Sequence, residues 1–165
     1  MRKILLLILI FVLVAIVILA QFRIFAGKAP ADLGVVKSHL GHTLKPPSTT
    51  QNSVSSQAEF FSKTEANVEY AKMEPFNYKG DGKAAMATLK EVINTNFKEA
   101  QLISENEAYL HYEFKSGLMK FIDDVEFLLN ENENYIHFRS ASRLGRKDFG
   151  KNRERMEAIR RKFSQ

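Results

Sequence analysis

The chain has 165 residues, a formal net charge of +5 and no cysteine. That length allows one modest domain and an appendage. The missing thiols exclude disulfides, thiolate nucleophiles, thiolate metal ligands and a lipid-modified cysteine anchor.

The appendage is N-terminal. Nineteen residues from Ile4 to Phe22 carry no charge, and Ile4 to Ala20 is apolar throughout. At about 1.5 Å per residue such a helix spans roughly 28 Å, close to a hydrocarbon core of about 30 Å. Arg2 and Lys3 precede it, and Arg23 and Lys28 follow it, so the positive-inside bias is nearly balanced. A secretory signal core usually runs about 7–15 residues and ends in small residues. This stretch is longer, and Ile18-Leu19-Ala20 puts a bulky group at the best cleavage position. Both points favour an uncleaved single-pass anchor in the inner membrane over a cleaved signal peptide. The short N-terminal tail is expected in the cytoplasm. On either reading the remaining domain is expected in the periplasm.

The sequence divides into an anchor over 1–27, an extended tether over 28–56 and a domain over 57–165. The tether is rich in Pro, Ser, Thr, Gly and Gln, without sustained periodicity. Within the domain, residues 57–79 are mixed, and Val68 to Met73 reads as a short strand. From Asp81, a predicted helix cap, the residues Ala85, Met86, Leu89, Val92, Ile93 and Phe97 recur at helical spacing. Four strand-like runs follow: Ala100–Ser104, Ala108–Phe114, Ile122–Leu129 and Tyr135–Ser142. Their short connections imply an antiparallel meander. A last helix over 149–163 has Met156, Ile159 and Phe163 as its apolar stripe.

Alternation sorts the sheet into two faces. Leu110, Tyr112, Phe114, Val125, Phe127, Leu129, Ile136 and Phe138 form a core face. His111, Glu113, Asp124, Glu126, His137 and Arg139 form the other. The fold class is therefore α+β: an antiparallel four-stranded meander with two helices on one face, preceded by one transmembrane helix.

Histidines, carboxylates and an arginine on neighbouring strands suit acid–base chemistry or a metal. They equally suit a solvated face with cross-strand ion pairs. Asp123 and Asp124 point to opposite faces, so Asp123 needs a partner such as Arg143 or a backbone N–H. Arg139 and Arg143, four residues apart on a strand, are separated by roughly 13 Å. That spacing suits separate pairing with Asp124 or Glu126 better than a shared phosphate.

Gly145 to Asn152 nearly fits a phosphate-binding G-x-x-x-x-G-K-[ST] loop. Asn152 replaces the metal-holding hydroxyl, and the preceding strand belongs to a meander rather than a βαβ unit. Asp148 reads as the N-cap of the last helix, whose N-terminus can alternatively hold an anion with help from Arg146 and Lys147. Residues 139–165 carry ten Lys/Arg against three acids, a net of +7. Arg153, Arg155, Arg160, Arg161 and Lys162 make the last helix basic. It presents either a solvated face, with Glu154 and Glu157 as local partners, or a contact for anionic lipid or an acidic partner. His39 and His42 sit in the tether without further ligands nearby. No cofactor or metal is implied, and an exported domain is not expected to meet nucleic acid.

Several stretches together resemble the bacterial and plastid family called domain of unknown function 1499. Asn52-Ser53-Val54-Ser55-Ser56 is similar to its N-C-V-S-S, Phe121 to Phe127 to its F-V-D-D-V-E-F, Ile136 to Arg143 to its I-H-V-R-S-A-S-R, and Asp148 to Arg153 to its D-L-G-x-N-R. The resemblance covers Leu33 to Phe163. It implies no activity. It implies that Asn52, Ser55, Ser56, Asp123, Asp124, Glu126, Arg139, Ser142, Arg143, Asn152 and Arg153 act as one polar cluster, with the tether folded back over the sheet. Pro47 and Ser53 stand where the family pattern has two cysteines.

The sequence thus points to a membrane-anchored envelope protein with an exported binding or structural domain. Arg139, Arg143 and Arg153 would meet an anionic lipid or cell-wall group. The alternatives are a hydrolase using Asp124 and Glu126, about 7 Å apart on one face, or a scaffold for another membrane protein with an exposed apolar patch. No recognised catalytic geometry supports the hydrolase.

Overall fold

A computed structural model describes residues 1–22, 24–38 and 41–164; Arg23 and His39 lie outside them. Apolar spacing sets the first element. Helix α1 (Arg2–Gln21) has almost no buried side chain and is long and apolar enough to cross a membrane. A small hairpin follows, β1 (Val36–Ser38) paired antiparallel with β2 (Gly41–Thr43).

The main sheet has six strands and is antiparallel throughout. Its centre is the expected meander: β5 (Ala100–Asn106), β6 (Tyr109–Lys115), β7 (Ile122–Asn130) and β8 (Tyr135–Ser142). Two strands absent from the sequence reading complete its edge on β8. Strand β3 (Ser53–Ser55) pairs Ser53 with Ala141 and Ser55 with Arg139. Strand β4 (Phe76–Asn77) pairs Phe76 with Ile136. Both are too short to show a period, yet each places one apolar residue, Val54 or Phe76, in the core. The end of the segment read as a tether is thus part of the sheet.

Val68 to Met73 is not a strand. Val68–Ala71 forms one helical turn, α2, and Asn67 Oδ1 accepts the Tyr70 N–H at 3.3 Å. A local side-chain cap overrides the strand propensity of this stretch.

Helices α3 (Gly82–Asn96) and α4 (Lys151–Phe163) lie on one face of the sheet, as expected. Asp81 caps α3, its carboxylate accepting the Ala84 N–H at 2.7 Å. Met86, Leu89 and Ile93 of α3 and Met156 and Ile159 of α4 pack on the predicted core face of the strands.

The opposite face is not solvated. His111, Asp124, Glu126, His137 and Arg139 are all buried. Residues 24–38 and 41–57, the strap, contribute the cover: Ala26, Thr43, Leu44 and Gln57 are buried, and Leu44 packs with Tyr109 and Leu128. Alternation found this face, but the chain that hides it shows no periodicity of its own.

Candidate functional site

Beneath the strap the charges form closed groups. Arg143 holds Asp124 with two parallel bonds, Nε to Oδ2 at 2.8 Å and Nη2 to Oδ1 at 2.7 Å. Its Nη2 also reaches Glu113 at 2.5 Å, and His111 Nε2 lies 2.9 Å from Asp124 Oδ1. Burial pushes the Asp124 pKa upward, but the hydrogen bonds from Arg143 and His111 outweigh it and hold the carboxyl below its ordinary value. The bond to Asp124 leads the causes that raise Arg143.

Glu126 is fully enclosed. Oε1 accepts from Tyr109 Oη at 2.8 Å and from the Gly34 N–H at 2.9 Å, and Oε2 accepts from Arg139 Nη1 at 3.3 Å. Arg139 Nε then donates to the Pro46 carbonyl at 3.3 Å. Burial first, then the Glu126 charge, raises the Tyr109 pKa. The sequence reading paired Arg139 and Arg143 separately with Asp124 and Glu126, and the structure does the same. Neither arginine is available to an external anion. Neither carboxylate is free to move a proton without breaking a buried bidentate or triple contact.

A second network joins sheet and α4 on the core side. Asp123 is paired by Arg155 Nη2 at 2.5 Å, not by Arg143. Arg155 also donates to Ser140 Oγ at 3.0 Å and Asn152 Oδ1 at 2.7 Å. Asn152 Nδ2 reaches Ser142 Oγ, the Asn52 carbonyl and Asp148. Asn52 Nδ2 donates to the Gly145 carbonyl at 2.7 Å. Asp148 accepts from Tyr70 Oη at 2.6 Å and from the Gly150 and Asn152 N–H groups. Burial raises its pKa, yet the bonds from Tyr70, Asn152 and Gly150 bring it below the ordinary value. Gly150, not Asp148, occupies the N-cap position of α4; Asp148, two residues earlier, accepts the Asn152 N–H of the first turn and fills the proposed anion site at that helix end. The near-fit phosphate loop is closed by its own side chains.

The eleven predicted residues therefore do not form one cluster. Asn52, Asp123, Ser142 and Asn152 share the α4 network; Asp124, Glu126, Arg139 and Arg143 lie under the strap. Ser55 Oγ accepts the Gln57 N–H within its own turn. Ser56 Oγ accepts the Phe138 N–H and sits 3.2 Å from His137 Nδ1, whose burial lowers its pKa. Arg153 donates to the carbonyls of Tyr70 and Lys72. Arg160 likewise holds the carbonyls of Glu74 and Pro75 and stacks on Phe76. Two of the basic side chains of α4, Arg153 and Arg160, are thus carbonyl clamps. Tyr70, Ser140, Asp148 and Arg155 were missed as site residues; the spacing of 148, 152 and 155, which shares one helix side, was the available signal. Ser53 Oγ accepts the Ser48 N–H at 2.7 Å and closes the turn between them.

Among the described residues, no group of three or more His, Asp and Glu has metal-binding geometry, and His42 is exposed. Several clefts stay open; one of about 690 Å³ lies beside Gln57, Leu128 and His137, and a more apolar one of about 630 Å³ lies between the β6–β7 loop and the β8–α4 loop. Phe114, Phe121, Ile122, Leu144 and Phe149 give it apolar walls; Lys115, Lys147 and Lys151 line it too, and Asp123, Ser142 and Arg155 contribute polar groups. It adjoins the end of α1: Gln21 Nε2 donates to the Leu118 carbonyl at 3.4 Å, and Phe25 packs on Phe121 at 5.6 Å.

These features define an α+β domain behind an N-terminal apolar helix, with a strap sealing an ion-paired sheet face. A family model described as a protein of unknown function (DUF1499) matches residues 43–163. The chain belongs to that family. No curated protein and no solved structure matches it.

Proposed function

We propose that the chain is a single-pass inner-membrane protein whose periplasmic domain rests on anionic groups at the membrane surface beside its own anchor. The observation that carries this reading is the contact between the end of α1 and the β6–β7 loop. It brings unused charge and exposed apolar groups to the anchor end of the domain. Lys115, Lys120, Arg146 and Lys147 form no ion pair among the described residues. Leu118, Phe121, Leu144 and Phe149 are exposed there. Basic residues near an anionic surface each contribute about 1 kcal/mol of attraction, and apolar side chains enter the headgroup layer. These lysines take the role first given to Arg139, Arg143 and Arg153.

The sequence has no tryptophan, so Phe149→Trp adds a single fluorescent reporter. The full-length variant is placed in nanodiscs of phosphatidylglycerol or phosphatidylcholine containing brominated lipid. Quenching is expected in the anionic discs and should weaken in roughly 1 M salt, where the screening length is about 3 Å. Equal quenching in both lipids at either salt would count against surface docking.

A further inference from the structure

We propose that the cleft beside the anchor is a lipid site, taking one acyl chain of an anionic membrane lipid with its headgroup over Lys115 and Lys147. This rests on the surface reading above and names the occupant. The volume, about 630 Å³, lies within the range of small-molecule sites, roughly 300–1,000 Å³.

Three observations point to an acyl chain. Most polar groups of the cleft are already matched: Arg155 is bonded to Asp123, Ser142 Oγ accepts from Asn152, and Asp148 accepts from Tyr70; Glu99 also lines it. The bonded groups therefore make no demand for a polar ligand, whereas Phe121, Leu144 and Phe149 offer an exposed apolar surface, backed by the buried Phe114 and Ile122. Unpaired cations stand at the same opening, so the charge complement is an anionic head attached to an apolar tail.

The second observation is Phe149. It is 90 % exposed, and its φ is 55°, in the left-handed region that a bulky residue rarely adopts. A strained backbone holds a phenyl ring at a cleft wall, where nothing in the domain covers it. Strain of this kind is characteristic of ligand clamps and switch regions.

The third is position. The loop that forms one wall of the cleft touches the end of α1. A chain leaving the bilayer beside the anchor enters the cleft without crossing water, passing from one apolar medium to another.

The test uses the full-length protein in nanodiscs doped with phosphatidylglycerol or phosphatidylcholine, each carrying a photoreactive diazirine near the acyl terminus. Cross-links are mapped by mass spectrometry. The anionic probe is expected to label residues 114–122 and 142–151, with several-fold weaker labelling from the zwitterionic probe. Labelling should fall several-fold in Lys115→Glu/Lys147→Glu and in Phe149→Ala, while circular dichroism of both variants stays unchanged. Labelling confined to α1 would overturn the proposal, as would equal labelling by both probes, or cross-links joining two protein chains through Phe149. The two readings separate in the data. Salt-sensitive quenching at position 149 without cleft labelling sinks the lipid site and keeps surface docking. Cleft labelling by the anionic probe without salt-sensitive quenching does the reverse.

Discussion

Two regions of this domain both concentrate charged side chains and end in opposite states. Under the strap, Asp124, Glu126 and Arg139 are buried and Arg143 is half-buried, and they pair as Asp124 with Arg143 and Glu126 with Arg139. At the cleft, Lys115 and Lys147 have no ion-pair partner among the described residues and stand beside exposed Phe121 and Phe149. Charge density alone does not separate them; the count of partners does. In the first region every donor meets an acceptor, and no buried side-chain N or O is left without one among the described residues. In the second, the domain supplies cations and apolar walls and leaves their complement outside.

The largest effect is expected from removing one partner under the strap. Arg143→Met leaves Asp124 and Glu113 without their shared cation, and removal of one member of a buried pair costs about 3–5 kcal/mol. Urea unfolding of the full chain in detergent should show that loss. An unchanged midpoint would mean the face is wetter than its burial implies. Asp148→Ala follows, since it removes the acceptor at the first turn of α4 and with it four hydrogen bonds; a loss of about 2 kcal/mol is expected.

Acid provides a third test. The folded-state pKa values of Asp124, Asp148 and His137 are all depressed. A depressed group leaves stability intact above its unfolded value, and stability is lost as pH falls through the folded one. The unfolding midpoint should therefore first decline below about pH 6.5, through His137, and then more steeply below about pH 4, through the aspartates. A midpoint flat down to about pH 4 would remove His137 from this account. The smallest effect is expected at the other region. Phe149→Ala should change unfolding by no more than about 0.5 kcal/mol, because the ring has no packing partner to lose. A large loss there would show that the ring is structural.

The sequence made the repeating parts of this fold legible. The meander, α3 with its Asp81 cap, and α4 with Met156 and Ile159 all follow from periodicity sustained over two turns or six residues. Elements of two or three residues, β3 and β4, carry no period. They form because β8 has a free edge and Val54 and Phe76 fit the core. The arginine–carboxylate pairs under the strap were legible too, since alternation puts them on one face. That the face is covered was not, because Gly34, Leu44 and Pro46 contribute single backbone or apolar contacts from an irregular segment. The cleft was least legible of all. Its walls come from two loops, and neither Leu144 nor Phe149 belongs to a periodic apolar stripe.

The strap has one more consequence, for the order in which the chain comes together. Gly34 bonds Glu126 across 92 positions, and the Asn52 carbonyl bonds Asn152 across 100. A polypeptide emerges N-terminus first, so residues 24–57 wait for almost the whole remaining length before their partners exist. Such distant closures are slow. Until α4 is available, Asp123 has no Arg155 and Asn52 has no Asn152. A ribosome-bound or translocating intermediate that ends before residue 151 should remain protease-sensitive at both its first and last segments. The beginning and the end of this domain are expected to become resistant together.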